Sequence, residues 1–210
     1  MAVVVMGLTM AMITPPLVIA AATRVQNRQA EQAMQIAQGE VDRVRATLAR
    51  EIRANVTLAR LPAIASISGN LEGFAAPAST SSLMKSPVTC SAAYNGTQVP
   101  VNQGLRVDVD GDCKADFFMQ TFRTAGTIRG SATTPADFQM GVRVYSILAA
   151  SSLGTLNTKA AALQIVGGQG NRKTRPLAVL YTPFSQSDQG STLCSYHQGS
   201  NQTKLSAACN

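Results

Sequence analysis

Met1–Thr23 contains no charged residue. This run, MAVVVMGLTMAMITPPLVIAAAT, constrains the chain more than any other feature. As a helix it would be about 35 Å long, enough to span the hydrocarbon core of a bilayer. Helices buried in soluble domains rarely run so far without a charge. A cleaved secretory signal would want a basic start, and none is present. The expectation is a transmembrane segment over 1–23. Pro15 and Pro16 lie inside it. Each removes a backbone donor and crowds the preceding turn, so a helix kink is expected there. In lipid the freed carbonyls need neighbours, which favours a helix packed among other helices.

The helical pattern continues beyond the apolar run. From Val25, the residues Ala30, Ala33, Ala37, Val41, Val44, Leu48, Ile52 and Val56 recur at spacings of three and four. That stripe predicts an amphipathic helix over 24–61, with Leu61-Pro62 as its end. Residues 62–89, rich in Ala, Ser, Thr and Pro, read as a connection. A β-rich globular part is expected over 90–210. Asp116–Phe122, Phe138–Leu148 and Pro176–Thr182 read as strands. In the second, Phe138, Met140, Val142 and Val144 alternate with Gln139, Gly141, Arg143 and Tyr145, the signature of a sheet with one buried face. The helix stripe is the natural cover for that face. The expected fold class is α+β: a long N-terminal helix, membrane half plus amphipathic half, packed on a small antiparallel sheet.

Charge and cysteine usage narrow the function classes. The net charge is +7, but the basic residues are scattered rather than clustered. Without a concentrated basic face or a reading element, no nucleic-acid partner is expected. The four cysteines, Cys90, Cys113, Cys194 and Cys209, form no CxxC pair, and His197 is the lone histidine. That spacing does not suit zinc. Two disulfides in an oxidising compartment suit it better, with four free thiols in a cytoplasmic protein as the other reading; the sequence does not fix the pairing. One histidine in a polar tail positions no base for Ser-His or Cys-His chemistry, so no enzyme is expected.

One local constellation could hold a metal. Asp108, Asp110, Asp112 and Asp116 alternate across Asp108-Val109-Asp110-Gly111-Asp112-Cys113-Lys114-Ala115-Asp116. Carboxylates so spaced can converge on a hard cation, and calcium is the cofactor this pattern would take. Against it, Cys113 replaces the glycine such loops prefer, and Met119 stands where an EF-hand places its bidentate glutamate. An acidic hairpin turn accounts for the same residues, since Asp-Gly is a common turn pair.

The two-part helix followed by a β-rich domain with a C-terminal cysteine pair resembles the type IV pilin and pseudopilin superfamily. More narrowly, ATRVQNRQAEQAMQIAQGEVDRVR at 22–45, FFMQTFR at 117–123, FQMGVRVYS at 138–146 and NRKTRPLAVLYT at 171–182 look like cyanobacterial pseudopilins of the hormogonium polysaccharide secretion type. The resemblance implies a minor structural subunit of a type IV pilus-like or type II secretion-like apparatus, serving polysaccharide secretion and motility. Its partners would be other pilin-like subunits, contacted through the N-terminal helix, and the inner membrane. It would be single-pass, with its globular domain periplasmic or on a filament surface. The resemblance also favours Cys194 with Cys209, as in the C-terminal loop of many pilins, which leaves Cys90 with Cys113. Pro16 falls where pilins carry their kinking proline.

The family opens with a basic leader, a Gly-Phe-Thr-Leu cleavage site and a glutamate near the mature N-terminus. None of these is in the sequence. As written, the first charges follow the anchor, which by the positive-inside rule would leave the domain in the cytoplasm, against the disulfide reading. The expectation is an upstream leader, lost by starting the reading frame at an internal Met. Prepilin peptidase would be a partner only if that leader exists. The competing expectation is a single-pass membrane protein with a non-polymerising extracytoplasmic domain that binds a ligand or calcium.

Overall fold

The computed structural model describes residues 2–54, 58–67, 70–128, 135–161 and 172–185, and within the long helix it describes side chains over 23–49. Helix α1 spans Ala2–Ala54, and a 3-10 turn follows at Leu58–Arg60. The strands are β1 (Ser79–Lys85), β2 (Gln103–Val107), β3 (Phe117–Arg123), β4 (Thr127–Ile128), β5 (Pro135–Ser146) and β6 (Ala178–Ser185). β5 is the hub. It pairs antiparallel with β3, β4 and β6. β4 pairs with Asp137 and Pro135 just beyond the β3 register, which ends at Arg123↔Met140. The two-residue β4 therefore extends the line of β3, and the six strands form a sheet five strands wide.

The α+β expectation agrees with this architecture, but the sheet is mixed rather than purely antiparallel. β1 runs parallel to β2, with Ser79 opposite Gln103 and Lys85 opposite Val107. The cause is the loop between them, which carries the chain back across the sheet before β2 begins. β1 lies inside the stretch that its Ser, Thr and Pro content marked as a connection. Only Leu83 and Met84 in STSSLMK are large and apolar, so periodicity carried little signal. Its backbone pairing holds it instead.

The helix stripe meets one face of the sheet. Ala33, Ala37, Val41, Val44 and Leu48 are buried with Leu105, Val107, Phe117, Met119, Phe138, Met140, Val142, Val144 and Phe184 in one core. The small Ala33 and Ala37 let the helix backbone approach closely. Val25 remains exposed, so the seam starts further along than the stripe did. Ile52 and Val56 lie outside the residues whose side chains are described.

The other face is covered as well, where a solvated face was expected. Alternation along β5 holds, yet Arg143 and Tyr145, on the side away from α1, are fully buried. Phe118 stacks on Tyr145 with ring centroids 5.1 Å apart, beneath the 3-10 turn Ile147–Ser152. Phe122 meets Phe74 at 4.7 Å, under the segment that leads to β1. The result is three layers: helix, sheet, and an irregular layer clamped by polar side chains.

Gly141 makes room for that third layer. A Cβ there would lie 2.5 Å from Phe122 Cζ, and Phe122 is itself fully buried. Gly141→Ala should therefore cost about 2 kcal/mol by overpacking. Equilibrium urea unfolding measures it, and a loss under about 0.5 kcal/mol would mean that Phe122 can move aside.

Candidate functional site

Two polar constructions stand out, one in the helix seam and one at the β2–β3 turn. In the seam, Glu40 is 1% exposed although it sits on the buried face of α1. Arg43, one turn along, donates to Glu40 Oε1 at 2.7 Å and, through a second nitrogen, to the carbonyl of Arg60 at 3.1 Å. Lys85 of β1 approaches Glu40 Oε2 at 3.5 Å. Burial disfavours the Arg43 charge, but the bond and charge of Glu40 outweigh it and raise its pKa. A buried charge must be paired and hydrogen-bonded. Glu40 thus ties three elements together: α1, the 3-10 turn after it, and the edge strand β1. An acidic residue on an amphipathic helix is ordinarily solvated, so Glu40 does not stand out in the sequence. The signal that could have found it is its position, four residues before Val44 and three after Ala37, inside the stripe.

Beside this seam lies a shallow cleft of about 260 Å³, lined by Gln32, Gln35, Ile36 and Gly39 of α1 with Lys85, Val107 and Val109. It leads to the acidic turn. Cys90 and Cys113 are joined there by a disulfide that closes a sequence separation of 23. This is one of the two expected pairings. Cys194 and Cys209 lie outside the described residues, as does His197. The Pro15 and Pro16 kink likewise falls where side chains are not described.

The four aspartates of the turn have different tasks. Asp108 is 2% exposed. Its Oδ1 accepts from Gly111 N at 2.7 Å, and its Oδ2 accepts from Ser86 Oγ at 2.8 Å and Cys113 N at 3.0 Å. Asp116 Oδ2 accepts from Val109 N at 2.8 Å. Asp108, Asp110 and Asp116 each bring a carboxylate oxygen within 4.8 Å of the others. Asp112 stands apart from that trio: it accepts from Lys114 N at 2.7 Å and pairs with Lys114 Nζ at 3.3 Å. The chain turns sharply to allow this, with left-handed φ at Gly111 (84°) and at Cys113 (62°). Glycine takes that conformation freely, whereas at Cys113 it costs about 1 kcal/mol.

The electrostatics divide in the same way. Desolvation pushes Asp108 upward, but the donors Ser86, Gly111 and Cys113 outweigh it and hold its pKa below the ordinary 3.8. The Asp112 N–H pulls Asp110 down, yet its desolvation and the charges of Asp112, Asp116 and Asp108 prevail and hold it above 3.8. The signs give opposite pH behaviour. Asp108 contributes stability above its unfolded pKa and loses it as pH falls through the lower folded value. Asp110 lowers stability at neutral pH, and protonation relieves that. Asp108→Asn is expected to lower the melting temperature at pH 7 and flatten its fall below pH 4, while Asp110→Asn should raise it slightly. Melting curves between pH 2 and 7 check both, and equal pH profiles for all three proteins would contradict the assignment.

No family model, curated protein or solved structure matches the chain. Among the described residues no helix is long and apolar enough to cross a membrane, and the uncharged run before Thr23 lies outside those whose side chains are described. Together the seam and the turn amount to a helix locked on a mixed α+β domain, with a disulfide-closed acidic turn beside the lock.

Proposed function

We propose that the chain is a minor pilin-like (pseudopilin) structural subunit and not an enzyme. One observation carries the reading: α1 runs over Ala2–Ala54, its stretch from Ala33 to Leu48 is packed on the sheet, and the uncharged stretch precedes it on the same helix. A helix so divided holds a domain at a bilayer and presents its free half to equivalent helices. Without apolar driving force in lipid, packing of small residues and proline-shaped contacts would supply the association energy. The resemblance of the helix and strand strings points to a type IV pilus-like or type II secretion-like machine, with polysaccharide export linked to motility as its process. The Cys90–Cys113 disulfide supports an inner-membrane subunit whose domain faces the periplasm or a filament surface.

Fractionation tests the anchor. The chain should stay with membranes after alkaline carbonate washing, and external protease should cut its domain in spheroplasts. Release into the wash, or protection of the domain, would remove the reading.

The convergence of Asp108, Asp110 and Asp116 favours a second reading, a non-polymerising membrane protein whose extracytoplasmic domain binds calcium at this turn. Calcium would relieve the repulsion that raises Asp110. Calorimetry distinguishes the two: heat on calcium addition that Asp110→Asn abolishes supports this site, and no heat with no thermal shift retires it.

A further inference from the structure

One end of the sheet faces back along α1 toward its uncharged stretch. Arg45 lies over Phe184, near the end of β6, at 5.8 Å. Gln32, Gln35 and Ile36 instead line the cleft together with Val107 and Val109, where β2 ends. Register places that point beside the start of β3, the end of β5 and the entry to β6: Val107 is opposite Phe117, Phe117 opposite Ser146, and Val144 opposite Ala178. Residues 157–161 run against the entry to β6, with Asn157 N donating to Thr174 O at 2.7 Å and Ala161 N to Pro176 O at 2.8 Å.

This end concentrates cations on one side. Lys159 and Lys173 are exposed and Arg172 and Arg175 partly so, while Arg24 and Arg28 are exposed on the helix leading into it. The four ion pairs found among the described residues include none of the six. The acidic turn occupies the same end but hangs from β2 and β3, on the far side of β5 from the entry to β6. The end is therefore polarised, basic toward β6 and acidic toward β2.

We infer that the β6 side of this end, with Lys159, Arg172, Lys173 and Arg175, docks on the phosphates of an anionic lipid bilayer, which Arg24 and Arg28 meet from the helix, and tilts the domain toward it. The inference rests on the membrane-anchor reading above. Ten residues of helix separate Thr23 from Ala33, the first buried residue among those described, a rise of about 15 Å. The headgroup layer takes roughly 6 Å of that, and the remainder is on the order of the Debye length of about 8 Å in physiological salt. Basic side chains at that height feel the surface potential, and each can strengthen contact about fivefold.

The full chain in nanodiscs of neutral phosphatidylcholine, or of the same lipid with phosphatidylglycerol, provides the test. Amine acetylation is read by mass spectrometry. Lys159 and Lys173 should react about fivefold more slowly on anionic lipid, with protection lost in high salt. Lys114, on the acidic side, should keep its rate. Lys173→Glu combined with Arg175→Glu should free Lys159 without changing the melting temperature. Equal rates on both lipids, or equal protection of Lys114, would overturn the inference. So would protection that appears only on adding an anionic polysaccharide. A chain that fails to enter nanodiscs at all would instead overturn the anchor reading.

Discussion

Arg143→Ala is expected to destabilise the domain by about 4 kcal/mol, because several buried carbonyls would lose their donor at once. Arg143 is fully buried in the middle of β5. Its guanidinium donates to the carbonyls of Leu71 at 3.0 Å, Glu72 at 3.2 Å and Phe74 at 2.8 Å, and its Nε to Tyr181 Oη at 3.0 Å. It lies 4.9 Å from the Phe122 ring centroid, a cation–π contact. Gln120 completes the clamp by donating to the carbonyls of Ala75 and Val101. Among the described residues no carboxylate pairs with Arg143; carbonyl dipoles and ring faces surround the charge. Arg143→Lys should recover only part of the loss, since a single ammonium cannot reproduce the planar fork. Urea unfolding measures both variants. A loss under about 1 kcal/mol for the alanine variant would mean that the irregular layer is held by something else.

Opening the Cys90–Cys113 disulfide, by reduction or by Cys90→Ser with Cys113→Ser, should cost about 3 kcal/mol through the loop it closes, for a sequence separation of 23. In a domain of this size that lowers the melting temperature by roughly 6–12 °C. The effect should extend beyond the bond. Cys113 N is one of the donors to Asp108, and Ser86 supplies another from the loop that carries Cys90. Release of that loop also loosens β1, because Met84 N donates to Ala92 O and Tyr94 N to Met84 O. Amide exchange should therefore accelerate at Met84 and Tyr94 on reduction. Unchanged exchange there, with an unchanged melting temperature, would show that the turn is held by its hydrogen bonds alone.

The elements with strong periodicity were legible in the sequence. The stripe from Ala33 to Leu48 and the alternation of Phe138, Met140, Val142 and Val144 identify both faces of the main core, because each apolar position repeats at the period of its element. The alternation also placed Arg143 and Tyr145 correctly on the other side of the sheet. What it could not show is that this side is covered. Cover comes from the 3-10 turn Ile147–Ser152 over Phe118 and Tyr145, and from residues 62–67 and 70–78, without regular period, which the Arg143, Gln120 and Arg123 side chains capture through their carbonyls. β1 escaped for a related reason, since a short strand of serines and threonines held by backbone pairing leaves almost no apolar pattern. At the acidic turn, spacing identified the cluster but not its division of labour. That Asp108 caps the turn while Asp112 pairs with Lys114 depends on the left-handed residues Gly111 and Cys113, which aim the carboxylates.

Assembly of the anchored helix with others of its kind, proposed above, would leave its mark at the N-terminus of the native protein. Mass spectrometry of the membrane fraction reads it. A methylated phenylalanine a few residues upstream of Met1, the product of prepilin processing, is the expected result. An unprocessed N-terminus at Met1 would contradict filament assembly and bring the non-polymerising membrane protein to the front.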